Sequence, residues 1–211
     1  MDTTLSETQK RLLATIFERG AESAAQALSS WLGRPVHLAV SEVEQVPLEE
    51  ASEVLGPGDS LVACCAMALS GSLEGQILLV FEDRAGLALA DLLLQQPAGT
   101  STSWGELERS AAMETANIVG CAYLNSLAAH MPTPAGSASP LVPGPPSFRH
   151  EFAASLLEFA VMDQAATTDR VLLINTQFRA EQTRLDWSLL FVPSGDSLRA
   201  LLESMKAAGG K

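Results

Sequence analysis

Ser110, Glu114 and Asn117 stand at i, i+4 and i+7, a spacing that puts a hydroxyl, a carboxylate and a carboxamide on one face of a helix. Glu106 and Cys121 extend the stripe in either direction, and Leu107, Ala111, Met113, Ala116, Val119, Tyr123, Leu124 and Leu127 occupy the other sides. Several of these are small, so such a helix can pack closely on its neighbours and leave one polar ridge outward. A carboxamide both donates and accepts hydrogen bonds, and can fix the orientation of a water molecule without having to titrate. By spacing alone, however, the stripe is also that of an ordinary solvated helix face.

Other residue types offer less. Cys64, Cys65 and Cys121 cannot build a disulfide framework, and the adjacent pair would point to opposite faces of a strand. No Cys-x-x-Cys is present, and His37, His130 and His150 have no partners at metal-ligand spacing; strand, helix-end and loop-surface positions account for them. Cys121 reads as a small residue at a buried edge rather than a reactive thiol. Trp31, Trp104 and Trp187 read as core or interface aromatics, and no Gly-x-Ser-x-Gly elbow suggests a serine hydrolase.

The elements that must position the stripe can be read from periodicity. Ser6 to Leu32 has helical spacing and ends at Gly33-Arg34-Pro35; Val36 to about Val46 alternates as a strand, stopped by Pro47. Leu48 to Leu55 reads as a short helix. Ser60–Leu69 and Leu73–Phe81 flank Ser70-Gly71-Ser72 as a hairpin, and Asp83 is placed to cap the next helix. After a linker from Pro97 to Ser103, a second long helix runs from about Trp104 to Met131. The proline-dense stretch from Pro132 to Ser147 reads as an irregular loop, and Glu151 to Gln164 as a helix. Val171–Phe178 and Leu185–Val192 form a second hairpin, Asp196 to Met205 a final helix, and the tail from Ala207 is expected to fray.

Length and charge bound the function. With 211 residues, 47% hydrophobic and 18% charged, the chain can bury a full core and is not disordered. Thirteen Lys and Arg against 25 Asp and Glu give a net charge of -12, which argues against a nucleic-acid backbone or an anionic membrane as partner. MDTTLSETQK lacks the pattern of a secretion signal, and the longest apolar run, Leu61 to Leu69, is far short of a membrane helix. The expectation is a soluble, reduced, cytoplasmic protein. Its element order occurs twice, with Leu78-Leu79-Val80-Phe81 answered by Leu189-Leu190-Phe191-Val192. The expected fold is therefore α/β: a single domain over 1–211 with repeat halves of about 1–98 and 99–211. One antiparallel sheet would be covered by two long helices related by a pseudo-twofold axis.

Ser110-x-x-x-Glu114-x-x-Asn117, followed after twenty-two intervening residues by Pro140, resembles the signature of the CheC/CheX/FliY phosphatases. The run from Asn117 to Leu127 is similar to the continuation of the motif in that family, and the element order matches over nearly the whole chain. The resemblance implies a protein phosphatase of chemotaxis two-component signalling. Its substrate would be the aspartyl phosphate of a CheY-type response regulator. Phosphoryl transfer has a loose transition state, so the catalyst mainly places the attacking water in line. Asn117 would orient that water, Glu114 would pair with a lysine of the response regulator, Ser110 would support the face, and Pro140 would shape the loop. The family implies no cofactor of the chain's own; Mg2+ would sit on the partner. The alternative is a non-catalytic adaptor that binds a response regulator or a CheD-like receptor deamidase.

A two-site protein would carry a second copy on the first helix. Ala21 to Ser29 resembles the stretch just beyond the family's first site, which sets an offset of 99 residues and puts Arg11, Thr15 and Glu18 where Ser110, Glu114 and Asn117 stand. Thr15 cannot make the ion pair and Glu18 lacks the amide. One site is expected.

Overall fold

The first helix begins where its local chemistry directs. The Ser6 hydroxyl accepts from the Gln9 amide at 3.3 Å, while the Gln9 side chain accepts from the Ser6 amide at 2.9 Å, a reciprocal cap. From it runs α1, Glu7–Leu32, closed by Gly33 in the left-handed region. This is a computed structural model, and it describes residues 4–47, 50, 55, 57–130, 141–156, 170–180 and 183–209. Beyond α1 lie β1 (Val36–Pro47), β2 (Leu61–Ser70), β3 (Gly75–Glu82), α2 (Asp83–Leu93) and α3 (Glu106–His130). Then come β4 (Val142–Pro143), β5 (Ser147–Phe152), β6 (Arg170–Ala180), β7 (Thr183–Pro193) and α4 (Gly195–Gly209).

Both hairpins and both long helices stand where periodicity places them, and the differences have local causes. The cap of α2 is Glu82, whose carboxylate accepts from the Ala85 amide at 3.1 Å. Asp83, the expected cap, is engaged instead with Trp104 and His150. The proline-dense stretch is not wholly irregular: Leu69 and Ser70 pair with Pro143 and Val142, and Ser147 opens β5. Proline is tolerated there because this strand is on the sheet edge. Glu151 and Phe152, expected in a helix, complete β5 by pairing with Val62 and Leu61; helix begins only at Ala153. The final helix continues through Gly209 rather than fraying at Ala207. The expected helix from Leu48 to Leu55 lies largely outside the described residues, as do the remainder of the one ending at Gln164, and Pro140.

All strand pairings are antiparallel, in the order β1-β6-β7-β3-β2, with β4 and β5 in succession along the outer side of β2. The two hairpins meet in the middle, from Gly75 opposite Pro193 to Phe81 opposite Trp187. Gly75 is required at that junction: its φ is 143°, and a Cβ there would stand 2.3 Å from the Val192 carbonyl oxygen. Exchanging the elements before α3 with those from α3 onward leaves the strand order unchanged, since β1 pairs with β6 and β5 with β2. This is the pseudo-twofold.

The sheet is buried on both faces. Cys65, Met67, Ile77, Leu79, Phe81, Leu172, Ile174, Phe178, Leu189 and Phe191 face the long helices. Cys64, Leu78, Val80, Val171, Leu173, Leu190 and Val192 face the other way, with Ala153 and Leu156. Cys64 and Cys65 therefore divide between the two faces as neighbours on a strand must. On α1 the buried face includes Leu13, Ile16, Phe17, Gly20, Ala21, Ala24 and Leu28. A shift of 99 residues superposes these on Ala112, Thr115, Ala116, Val119, Gly120, Tyr123 and Leu127, all buried on α3. The two long helices are thus presented to the sheet in the same rotational setting.

Candidate functional site

Three anchors fix how α3 presents its outer face. The first precedes the helix. Asp91, 2% exposed on α2, accepts from the amides of Gly99 at 2.6 Å, Thr100 at 3.0 Å and Ser101 at 2.7 Å. Burial alone would raise its pKa; the hydrogen bonds from Ser101, Gly99 and Thr100 outweigh that and hold the carboxyl below its ordinary value. The linker is thereby tied to α2. It delivers Trp104, buried, whose Nε1 donates to Asp83 Oδ1 at 2.7 Å; His150 Nε2 reaches the same oxygen at 2.8 Å. The Trp104 ring lies 4.9 Å from that of Phe148, and Arg109 spans the corner, donating Nε–H to the Trp104 carbonyl at 2.9 Å with its guanidinium 5.8 Å from the Phe148 ring centre.

The second anchor is the crossing with α1. Gly20 lets the two backbones approach so closely that a Cβ there would meet Tyr123 Cα at 2.9 Å. The Tyr123 ring packs edge-on against Phe17 at 5.7 Å, and its hydroxyl is 3.0 Å from Thr176 Oγ1 on β6. Burial pushes the Tyr123 phenol up to about 12, so it is a neutral hydrogen-bonding group at physiological pH. The third anchor is at the end of α3, where Arg19 donates to His130 Nε2 at 2.9 Å and His130 Nδ1 lies 2.8 Å from the Ser126 carbonyl. With Nε2 accepting, Nδ1 carries the proton and donates.

Held in this way, α3 turns Ser110 and Glu114 outward as exposed residues, with Asn117 and Cys121 half-buried along the same line. The Glu114 carboxylate enters no salt bridge among the described residues. Cys121 Sγ lies 3.6 Å from Asn117 Oδ1. The structure thus brings Ser110, Glu114 and Asn117 onto one accessible ridge. Their counterparts Arg11, Thr15 and Glu18 on α1 are exposed as well, but carry a different set of groups. What the ridge can do is bounded by its composition: a carboxylate that can meet a cation, and a carboxamide one turn away that can hold a water. Among the described residues no group of three or more His, Cys, Asp or Glu could hold a metal ion.

The remaining residues fall into place around this. Trp104 and Trp187 are buried, whereas Trp31 is 39% exposed at the end of α1. His150, expected on a loop surface, sits in β5 against Asp83. Sequence reasoning missed Asp91 and the Asp83–Trp104–His150 junction as the devices that aim α3. Asp91 is an acid among the leucines and alanines of the second half of α2, and that incongruity was the available signal. No helix among the described residues is long and apolar enough to cross a membrane.

No family model matches the chain. Among solved structures it is similar to FliY of Thermotoga maritima, with 20% identity over 97% of this chain and 98% of that one and a TM-score of 0.73. It is also similar to the FliM middle domain of H. pylori, at 13% identity, 95% and 99% coverage and a TM-score of 0.67. With CheX of Desulfovibrio desulfuricans it shares 12% identity over 87% of this chain and 99% of that one, with a TM-score of 0.53. At these identities the likeness is one of fold: a mixed α/β domain with the same antiparallel sheet and long helices.

Proposed function

We propose that this chain, which has the fold of FliY and CheX, is a phosphatase of the aspartyl phosphate on a CheY-type response regulator. In this reading one CheC-like domain spans residues 1–211, and it acts in the cytoplasm. The observation that carries the reading is the pairing of an exposed Glu114, in no salt bridge among the described residues, with Asn117 one turn further along a helix fixed by three anchors. The chemistry asks for geometry rather than acid–base strength. An aspartyl phosphate is a mixed anhydride, so its carboxylate is a good leaving group and needs no protonation. Water attacks phosphorus in line with the breaking P–O bond. The aspartate leaves as carboxylate, and the proton of the water ends on inorganic phosphate. Asn117 holds the water for that approach, while Glu114 receives a lysine ammonium of the partner and sets the ridge over the phosphoryl group. Mg2+ belongs to the partner in this scheme, and this chain supplies no nucleophile of its own. Ser110 supports the same face.

A specific observation favours a second reading. Structures of FliG–FliM and FliM–SpeE complexes from H. pylori share this fold at TM-scores of 0.63 and 0.69. An adaptor would use the surface for binding a response regulator, or a CheD-like deamidase, without turnover. The decay of a phosphorylated CheY-type receiver domain, with and without the protein, separates the two. The phosphatase reading expects acceleration that Asn117→Ala reduces about 100-fold, on the order of 3 kcal/mol, with binding retained. Glu114→Lys should weaken binding. An unaccelerated decay with intact binding establishes the adaptor instead.

A further inference from the structure

Cys121 lies on the polar stripe without a part in the proposed reaction, yet it touches the residue on which that reaction depends. A carboxamide has two nearly isosteric orientations, related by a half-turn, that exchange an acceptor for a pair of donors. On a half-exposed helix position, nothing in the helix itself chooses between them. Here Cys121 Sγ faces Asn117 Oδ1 at 3.6 Å, one helical turn away, which is hydrogen-bonding distance for sulfur. A thiol donates to Oδ1 and so turns Nδ2 away from the helix; a thiolate would accept and select the reverse. Burial first, and then the negative charge of Glu114, push the Cys121 thiol up, so it is kept as the donor.

We propose that Cys121 is a positioning residue for Asn117: its S–H holds the carboxamide in one orientation, with Nδ2 toward the docked partner and the second lone pair of Oδ1 free for the attacking water. This rests on the reading of Asn117 as the group that orients water. Glu114 receives the partner's cation, and its charge adds to the burial that disfavours a thiolate at Cys121. The thiol takes no covalent part in the hydrolysis.

The test is steady-state hydrolysis of a CheY-type receiver domain phosphorylated with acetyl phosphate and Mg2+, with kcat and KM read separately for Cys121→Ala, Cys121→Ser and Asn117→Ala. Losing the tether restores both carboxamide orientations and adds wobble to the correct one, so Cys121→Ala should lower kcat about fivefold with KM unchanged. Cys121→Ser, whose hydroxyl still donates, should keep most of kcat. A second readout needs no turnover: the side-chain 15N–1H resonances of Asn117 should show a less ordered NH2 group in Cys121→Ala than in the wild type or Cys121→Ser. Wild-type kcat in Cys121→Ala overturns the proposal, as does an equal loss in both variants, which would mark a packing role. If Asn117→Ala is inactive while Cys121→Ala is normal, the positioning role alone fails. If Asn117→Ala is fully active, the catalytic reading fails, and the positioning role with it.

Discussion

Replacing Gly20 by alanine probes the crossing that seats the ridge helix. A Cβ at Gly20 would stand 2.4 Å from Tyr123 Cδ1 and 2.9 Å from Tyr123 Cα, where carbon atoms in contact keep about 3.5–4.0 Å. Turning a side chain cannot relieve the second clash, because that neighbour is backbone. The ring is no freer, being buried, packed on Phe17 and tied through its hydroxyl to Thr176 at 3.0 Å. The helices must therefore part by about 1 Å at this point. Overpacking of this kind costs about 1–3 kcal/mol. Separating two buried hydroxyls, Tyr123 and Thr176, adds ~1–3 kcal/mol, and alanine's better helix propensity returns ~1 kcal/mol. The net expectation is a destabilisation of about 3 kcal/mol, or a fall in Tm of about 6–12 °C for a domain of this size. Urea titration checks it through a lower midpoint at unchanged slope. Gly120→Ala is the internal control: its Cβ would meet Met67 Cε at 2.2 Å. That atom is the end of a flexible chain, so stability should stay within ~1 kcal/mol of wild type. A Gly20→Ala protein as stable as the wild type, or less affected than Gly120→Ala, would refute the argument.

The other expectations concern Asp91 and the thiols. Asp91→Asn puts an NH2 group against amide donors and should destabilise by about 2 kcal/mol at neutral pH. Because hydrogen bonding holds the folded Asp91 carboxyl below its ordinary value, its contribution is complete above the unfolded value of about 3.9 and disappears as pH falls through the folded one. Acid-unfolding curves of variant and wild type should accordingly begin to converge only as pH falls below ~4 and meet below the folded value. In a disulfide-exchange reagent at pH 8, one of the three cysteines, Cys121, should react in the native protein, and slowly. Burial raises Cys65 to about 12 and Cys64 still further, so both should react only in urea; fast native reaction of all three would contradict the two-faced sheet.

The elements that periodicity made legible are those whose burial is one-sided. The two long helices announced themselves because Leu13, Ile16, Phe17, Leu28 and their counterparts recur at helical spacing toward a single sheet. The central hairpins were legible as short apolar runs around turn residues. The edge strand was not: in β5 every residue except Phe148 is exposed, so no alternation marks Ser147–Phe152, and its neighbouring prolines argued for a loop. Its pairing with β2 is a property of the sheet, which offers an open row of backbone groups. On the ridge, spacing alone put Ser110, Glu114 and Asn117 on one face. What spacing could not show is how that face is aimed, because the ties from Asp91 to the linker amides follow no helical or strand period, and the Asp83–Trp104–His150 junction joins groups distant in sequence and unremarkable singly.

The exchange of edge strands also sets a timetable for synthesis. Strand β1 ends at Pro47, but its partner β6 starts at Arg170 and is completed at Ala180. At about 5–20 residues per second, a ribosome leaves β1 unpaired for roughly 6–25 s after it emerges. During that interval the β2–β3 hairpin can form locally, while β1 is a bare strand available to other chains. Its own composition answers the hazard: His37, Ser41 and Glu42 are exposed along it, and Glu44 and Gln45 interrupt the apolar residues toward its end. Charge within a strand that must wait for its partner disfavours pairing with a second nascent copy, since like charges would be brought side by side.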